Sequence, residues 1–181
     1  WAGRQGEWVE AQLARIEPAE PLQSGATIPF DGRDIRLCWD AAAPRTPRLA
    51  DDILSCGGPA ERFGERIARW LRDEARRQLI AETRALTARC GIADGPVSVG
   101  DAGTRWGSCS ASGAIRYNWR LLLAPPALRA YVVAHEVAHR VHMNHGPSFH
   151  ALQDQLYDGD AGAARLELRR LAPRLKRVGR G

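Results

Sequence analysis

Histidine is missing from all but one short stretch of this 181-residue chain, its five copies falling between His135 and His150. Lysine is nearly missing as well: Lys176 stands alone among 26 basic residues. An arginine bias that extreme reads as a genome-wide codon preference rather than a binding code, with most basic residues on a solvated face. No run of about 18 apolar residues occurs, which excludes a membrane-spanning helix. There is no CxxC pair, and four cysteines, Cys38, Cys56, Cys90 and Cys109, are too few for a disulfide scaffold; the expectation is a reduced, cytoplasmic protein. Internal repeats and low-complexity segments are absent too. The opening "WAGRQGEWVE" has neither Met nor the basic, apolar, small-residue order of a secretory signal, and reads as the start of a trimmed chain.

What is present is ordinary for a globular chain: 44% hydrophobic and 26% charged residues, enough to stabilise one core without staples. The formal charge of +5 permits weak attraction to nucleic acid or to phosphorylated substrates.

The first third reads as β. "IRLCW" puts Ile35, Leu37 and Trp39 on one face, and the Asp-Gly of "PFDGRDI" marks a hairpin turn before it. "AAAPRTPRLADD" reads as a loop. From Pro59 to Cys90 the period becomes helical, with Phe63, Ile67, Trp70, Leu71, Leu79 and Ile80 on one side, arginines on the other, and Gly91 as a stop. "PVSVGD", "TRWGSCS" and "GAIRYNW" follow as short strands of an expected antiparallel meander. "APPALRAYVVAHEVAHRVH" begins a second helix with Pro in its first turn. "GPSFHALQDQLYD" makes a third, and "AGAARLELRRLAPRLKRV" a fourth, with Leu166, Leu168 and Leu171 on its apolar side.

Four residues apart on a helix, His135 and His139 point the same way and can grip one metal ion. Glu136 is turned about 100° away, placed to reach a water near that ion rather than to ligate it. This is the HExxH arrangement, two zinc ligands and a general base. A catalytic zinc takes three protein ligands and keeps a fourth position open. His145 is the best third candidate, because Asn144, Gly146 and Pro147 have the composition of a turn that brings it back over the metal. Its spacing from His139 is that of the metzincins, but His142 occupies their Gly position and no Met lies downstream of the cluster, so that assignment is set aside. His142 stays near the same helix face as a candidate to support a ligand or touch phosphate. His150 belongs to the next helix, as packing or surface.

With "RWGSCSASGAIRYNWRLLLAPPALRAYVVAHEVAHRVHMNHGPSFH" assembled, the chain resembles the YgjP-like metal-dependent hydrolases, bacterial relatives of the SprT-type zincins. The resemblance is strong from Arg105 to about Leu156 and looser outside. It implies an α+β, zincin-like fold, with a small antiparallel or mixed sheet packed on the HExxH helix and the long helix before it. Residues 1–58 would be a β-rich segment packed on a catalytic domain of residues 59–181. It further implies one zinc per chain on His135, His139 and His145, with Glu136 catalytic. Two departures flank the third ligand, His150 where Trp is usual and Gly146 where Ser is usual, and both concern the pocket wall.

The expected chemistry is hydrolysis by a metal-activated water from which Glu136 takes the proton. Arg105, Arg116, Tyr117 and Arg120 are candidate donors to developing negative charge. Trp106 and Gly107 belong to a candidate edge strand for an extended peptide. Three readings follow. A metallopeptidase is first. A nucleoside triphosphate pyrophosphatase, acting on substrates such as UTP with the arginines as clamps and an additional divalent cation, is second. A non-catalytic nucleic-acid binder with structural zinc is third.

Overall fold

Asp31 and Gly32 both adopt positive φ, 51° and 77°, which is what a two-residue hairpin matched to the strand twist requires. They fold β1 (Thr27–Phe30) antiparallel onto β2 (Arg33–Trp39), with Ile28 opposite Ile35. The structure is a computed structural model and describes residues 19–180, so the first 18 residues of the expected N-terminal segment lie outside the described residues. The stretch read as a loop holds a second hairpin. Arg48–Ala50 forms β3, and Asp51, at φ 51°, turns it into β4 (Ile53–Cys56). The turn escaped notice because Asp-Asp stands where Asp-Gly would signal it; Asp is among the few side chains that tolerate left-handed backbone. β4 runs parallel to β2, giving the order β1-β2-β4-β3.

After a 3-10 turn at Ala60–Arg62, α1 (Phe63–Arg89) buries Phe63, Ile67, Leu71, Ala75 and Leu79, one residue per turn. Gly91, at φ 65°, ends the run. This stripe and the inner residues of the four-stranded sheet, Ile28, Ile35, Leu37 and Leu54, belong to one buried core.

The second sheet corrects the meander. β5 (Val97–Gly100), β6 (Gly107–Cys109) and β7 (Ile115–Asn118) lie in the order β5-β7-β6, with β7 parallel to β5 and antiparallel to β6. The connection through Asp101–Trp106 carries the chain past β7 to its far side, which leaves β6 at the edge. A 3-10 turn, Trp119–Leu123, then leads into α2 (Pro126–His139), which packs against α1, β6, α3 (Pro147–Leu156) and α4 (Ala161–Arg177). α4 is capped by Asp160, whose carboxylate accepts the Ala163 N–H at 2.9 Å. Leu168 and Leu175 of α4 are buried and Leu171 is half-buried, whereas Leu166, expected on the apolar side, is 66% exposed. The fold is thus α+β, with four helices and two small mixed sheets among the described residues. No described helix is long and apolar enough to cross a membrane, and all four cysteines are free thiols.

One buried cation joins three of these elements. Arg129 of α2, 5% exposed, donates through Nε to Glu82 Oε1 of α1 at 2.8 Å and through Nη1 to Asp31 of the first hairpin turn. Burial raises the Glu82 carboxyl above its ordinary pKa even against the opposing pull of Arg129. Removing the cation leaves two partly buried carboxylates without their counter-charge, so Arg129→Met is expected to destabilise the protein by about 3 kcal/mol. Urea unfolding measures this, and an unchanged midpoint would refute the linking role.

Candidate metal centre

α2 runs through the core because Val132, Val133, Ala134, Val137 and Ala138 are all buried. Its remaining face carries His135 and His139, whose rings stand 4.8 Å apart between centroids. Beyond Arg140 the chain turns, and Gly146 and Pro147 start α3. The turn delivers His145 back over α2, its ring centroid 5.1 Å from that of His135 and 4.6 Å from that of His139. One ring nitrogen from each of the three histidines lies within 4.8 Å of the others. Phe149, fully buried at the start of α3, packs against all three rings at centroid distances of 5.0, 4.6 and 4.6 Å.

Hydrogen bonds set the tautomers. His135 Nδ1–H donates to Gln153 Oε1 and His139 Nδ1–H to the His142 carbonyl, both at 3.1 Å. Each bond leaves an Nε2 lone pair for the other side of its ring. Burial pushes the His135 pKa down to about 4, against the opposing pull of Gln153, and burial lowers His139 as well. Both rings are therefore neutral, the form that ligates metal. Nε2 of His135 and Nε2 of His145 are 3.3 Å apart. A tetrahedral ion holding two imidazole nitrogens at about 2.0–2.1 Å would separate them by about 3.3–3.4 Å. One pair of ring nitrogens thus stands at the separation that a tetrahedral ion sets, and the triad could hold a metal ion.

Glu136, on the same helix, is only 5% exposed, and its Oε2 is buried without a hydrogen-bond partner. Burial raises its pKa to about 7, with Arg105 pulling the other way. Gly107 of β6 crosses directly over it: a Cβ at that position would lie 2.5 Å from Glu136 Oε1 and 2.7 Å from its Cγ. Only glycine lets strand and carboxylate share this space.

Above these groups opens a cavity of about 810 Å³ with His135, Glu136 and His145 in its lining. Thr104, Arg105, Trp106 and Gly107 contribute to its wall, and so does one face of α4 through Arg165, Leu168, Arg169, Ala172 and Lys176. Arg105, Trp106 and Gly107 thus line this cavity, whereas Arg116, Tyr117, Arg120 and His142 do not. Arg116 is exposed on β7 against Gly100, on the strand face that alternation points away from the cavity. Tyr117 is buried in the core with its hydroxyl 3.1 Å from Thr83 Oγ1, and burial raises its pKa further. Arg120, 2% exposed, stacks on Trp119 at 4.4 Å, donates to the Val178 carbonyl at 2.9 Å and pairs with Asp101. His142 serves through its carbonyl, and its ring is absent from the lining.

His150 lines the cavity, yet its ring lies 6.4 Å from that of His145 and outside the triad. Cys109 is half-buried, its thiol pKa raised by burial and by Glu136. Sequence reasoning missed Gln153 and the α4 wall. The spacing of Arg165, Arg169, Ala172 and Lys176 by fours and threes was visible as a helical stripe, but nothing in it named the cavity as what the stripe faces.

A family model described as YgjP-like, metallopeptidase domain, matches residues 1–171. No curated protein and no solved structure matches the chain.

Proposed function

The chain belongs to the YgjP-like family, and from that premise we propose that it is a zinc-dependent peptidase of zincin-like architecture. The observation that carries the reading is the convergence of three histidine ring nitrogens within 4.8 Å, two of them on residues lining the cavity, with a buried Glu136 carboxylate oxygen that has no partner. His135, His139 and His145 would hold the ion, which when bound supplies Lewis acidity to the scissile carbonyl and the attacking water. Glu136 takes the proton of that water and delivers it to the departing amine; a carboxyl with a pKa of about 7 can do both near neutral pH. The free edge of β6 offers backbone groups to an extended peptide, and Gly107 lets that strand pass close to the base.

The cations in the cavity wall favour a second reading on the same site, a nucleoside triphosphate pyrophosphatase with the arginines as phosphate clamps. The placement of Glu136 argues against a binder with merely structural zinc. The test is to incubate the metal-loaded protein with an unfolded protein and with UTP, before and after chelation. New amino termini that chelation abolishes support the peptidase. Release of pyrophosphate alone sinks it in favour of the second reading.

Gln153 orients His135 through the Nδ1 hydrogen bond. Gln153→Leu is expected to weaken metal affinity about 10–100-fold, read by competition with a chromogenic chelator, and an unaltered affinity would dismiss that role.

A further inference from the structure

α4 carries two kinds of arginine. Those directed away from the cavity are neutralised within the chain: Arg170 by Glu167 at 2.6 Å, Arg174 by Asp34 at 2.6 Å, Arg177 by Glu20 at 3.0 Å. Those lining the cavity, Arg165 and Arg169, form no salt bridge among the described residues, and Arg105 on the facing wall, although it pulls on the Glu136 carboxyl, forms none either. Lys176, the one lysine of the chain, completes the row; its Nζ sits 5.3 Å over the Trp106 ring and 3.3 Å from the Thr104 carbonyl, tying the two walls together. Among the described residues, Glu136 is the only acid in the lining. Cations left unpaired in a cleft whose outward neighbours are all paired mark a surface that meets anions.

We infer that this wall selects extended peptide segments carrying acidic side chains at alternate positions, with Arg165 and Arg169 as the residues that read them and Arg105 opposing from the β6 side. The spacing supports a chain over a compact anion. Arg165 and Arg169 are one helical turn apart, about 6 Å along the axis, and alternate side chains of a strand repeat at about 6.6 Å. Arg165 to Lys176 is eleven helical steps, about 16 Å, a longer row than three linked phosphates can span. Trp106, Tyr131 and Leu168 line the same cavity and make part of its wall apolar. The inference rests on the peptidase reading for its substrate class and goes beyond it in naming the sequence selected.

The experiment uses the metal-loaded Glu136→Gln protein and two fluorescein-labelled decapeptides, one alternating Glu with Ala and the other Gln with Ala, with binding followed by fluorescence anisotropy. The Glu peptide is expected to bind about tenfold more tightly at low salt, the preference shrinking as salt is added. R165Q/R169Q should bring the ratio close to one. R165E/R169E should invert it towards a decapeptide alternating Lys with Ala, a gain that a misfolded protein cannot produce. Equal affinity for the Glu and Gln peptides overturns the inference, as does UTP binding in preference to the Glu peptide. Digestion of the same peptides by the wild type separates the two levels. Selective binding without cleavage keeps the acidic preference and overturns the peptidase; cleavage of both peptides at equal rates and affinities does the reverse.

Discussion

Glu136→Gln is expected to lower peptide turnover about a thousandfold while leaving the bound metal near about one ion per chain. The amide keeps the shape of the carboxylate beneath Gly107 but has no basic oxygen for the water's proton. The same substitution should act in the opposite direction on stability. In the metal-free protein the folded Glu136 pKa, about 7, lies above its ordinary value of 4.5. Between those values the unfolded chain releases its proton first, so stability falls as pH rises through that window and levels off above it. Gln carries no such cost. Metal-free Glu136→Gln should therefore be more stable than metal-free wild type by about 3 kcal/mol at pH 8, the difference vanishing towards pH 4. Metal analysis, turnover and thermal melts at the two pH values check all three parts. Unaltered turnover would remove Glu136 as the base, and equal melts at pH 8 would remove the burial argument.

His139→Ala is expected to abolish stoichiometric metal. Two imidazoles remain, one of them, His145, on an exposed turn, and a site reduced from three protein ligands to two does not retain zinc against a chelator. The fold should survive, because the buried core is built from aliphatic and aromatic side chains of every helix and both sheets. The measurement is metal content by mass spectrometry beside a thermal melt. Undiminished metal in a folded His139→Ala protein would sink the triad.

Features that depend on local geometry were legible in the sequence. Asp31-Gly32 announced its hairpin, the apolar period of α1 gave its buried stripe, and the four-residue spacing of His135 and His139 put both on one helix face. Features that depend on a partner were not. Alternation in "GAIRYNW" separates Arg116 from Tyr117 without saying that β5 would pair parallel to β7 and β6 antiparallel on its other side. It therefore could not tell that Tyr117 faces Thr83 and the core. Arg120 looked like a free cation because its partners, Asp101 and the Val178 carbonyl, stand 19 and 58 residues away. Gln153 is invisible for a similar reason: an amide on a helix has no signature until the ring it orients is beside it.

Phe149 touches all three histidine rings from within the core. The rings are thereby held by hydrocarbon contacts that exist whether or not an ion is bound, unlike those of a zinc finger, where the metal supplies the folding energy. An ion held by the triad should therefore be removable and replaceable without the chain having to refold, which a thermal melt before and after chelation checks.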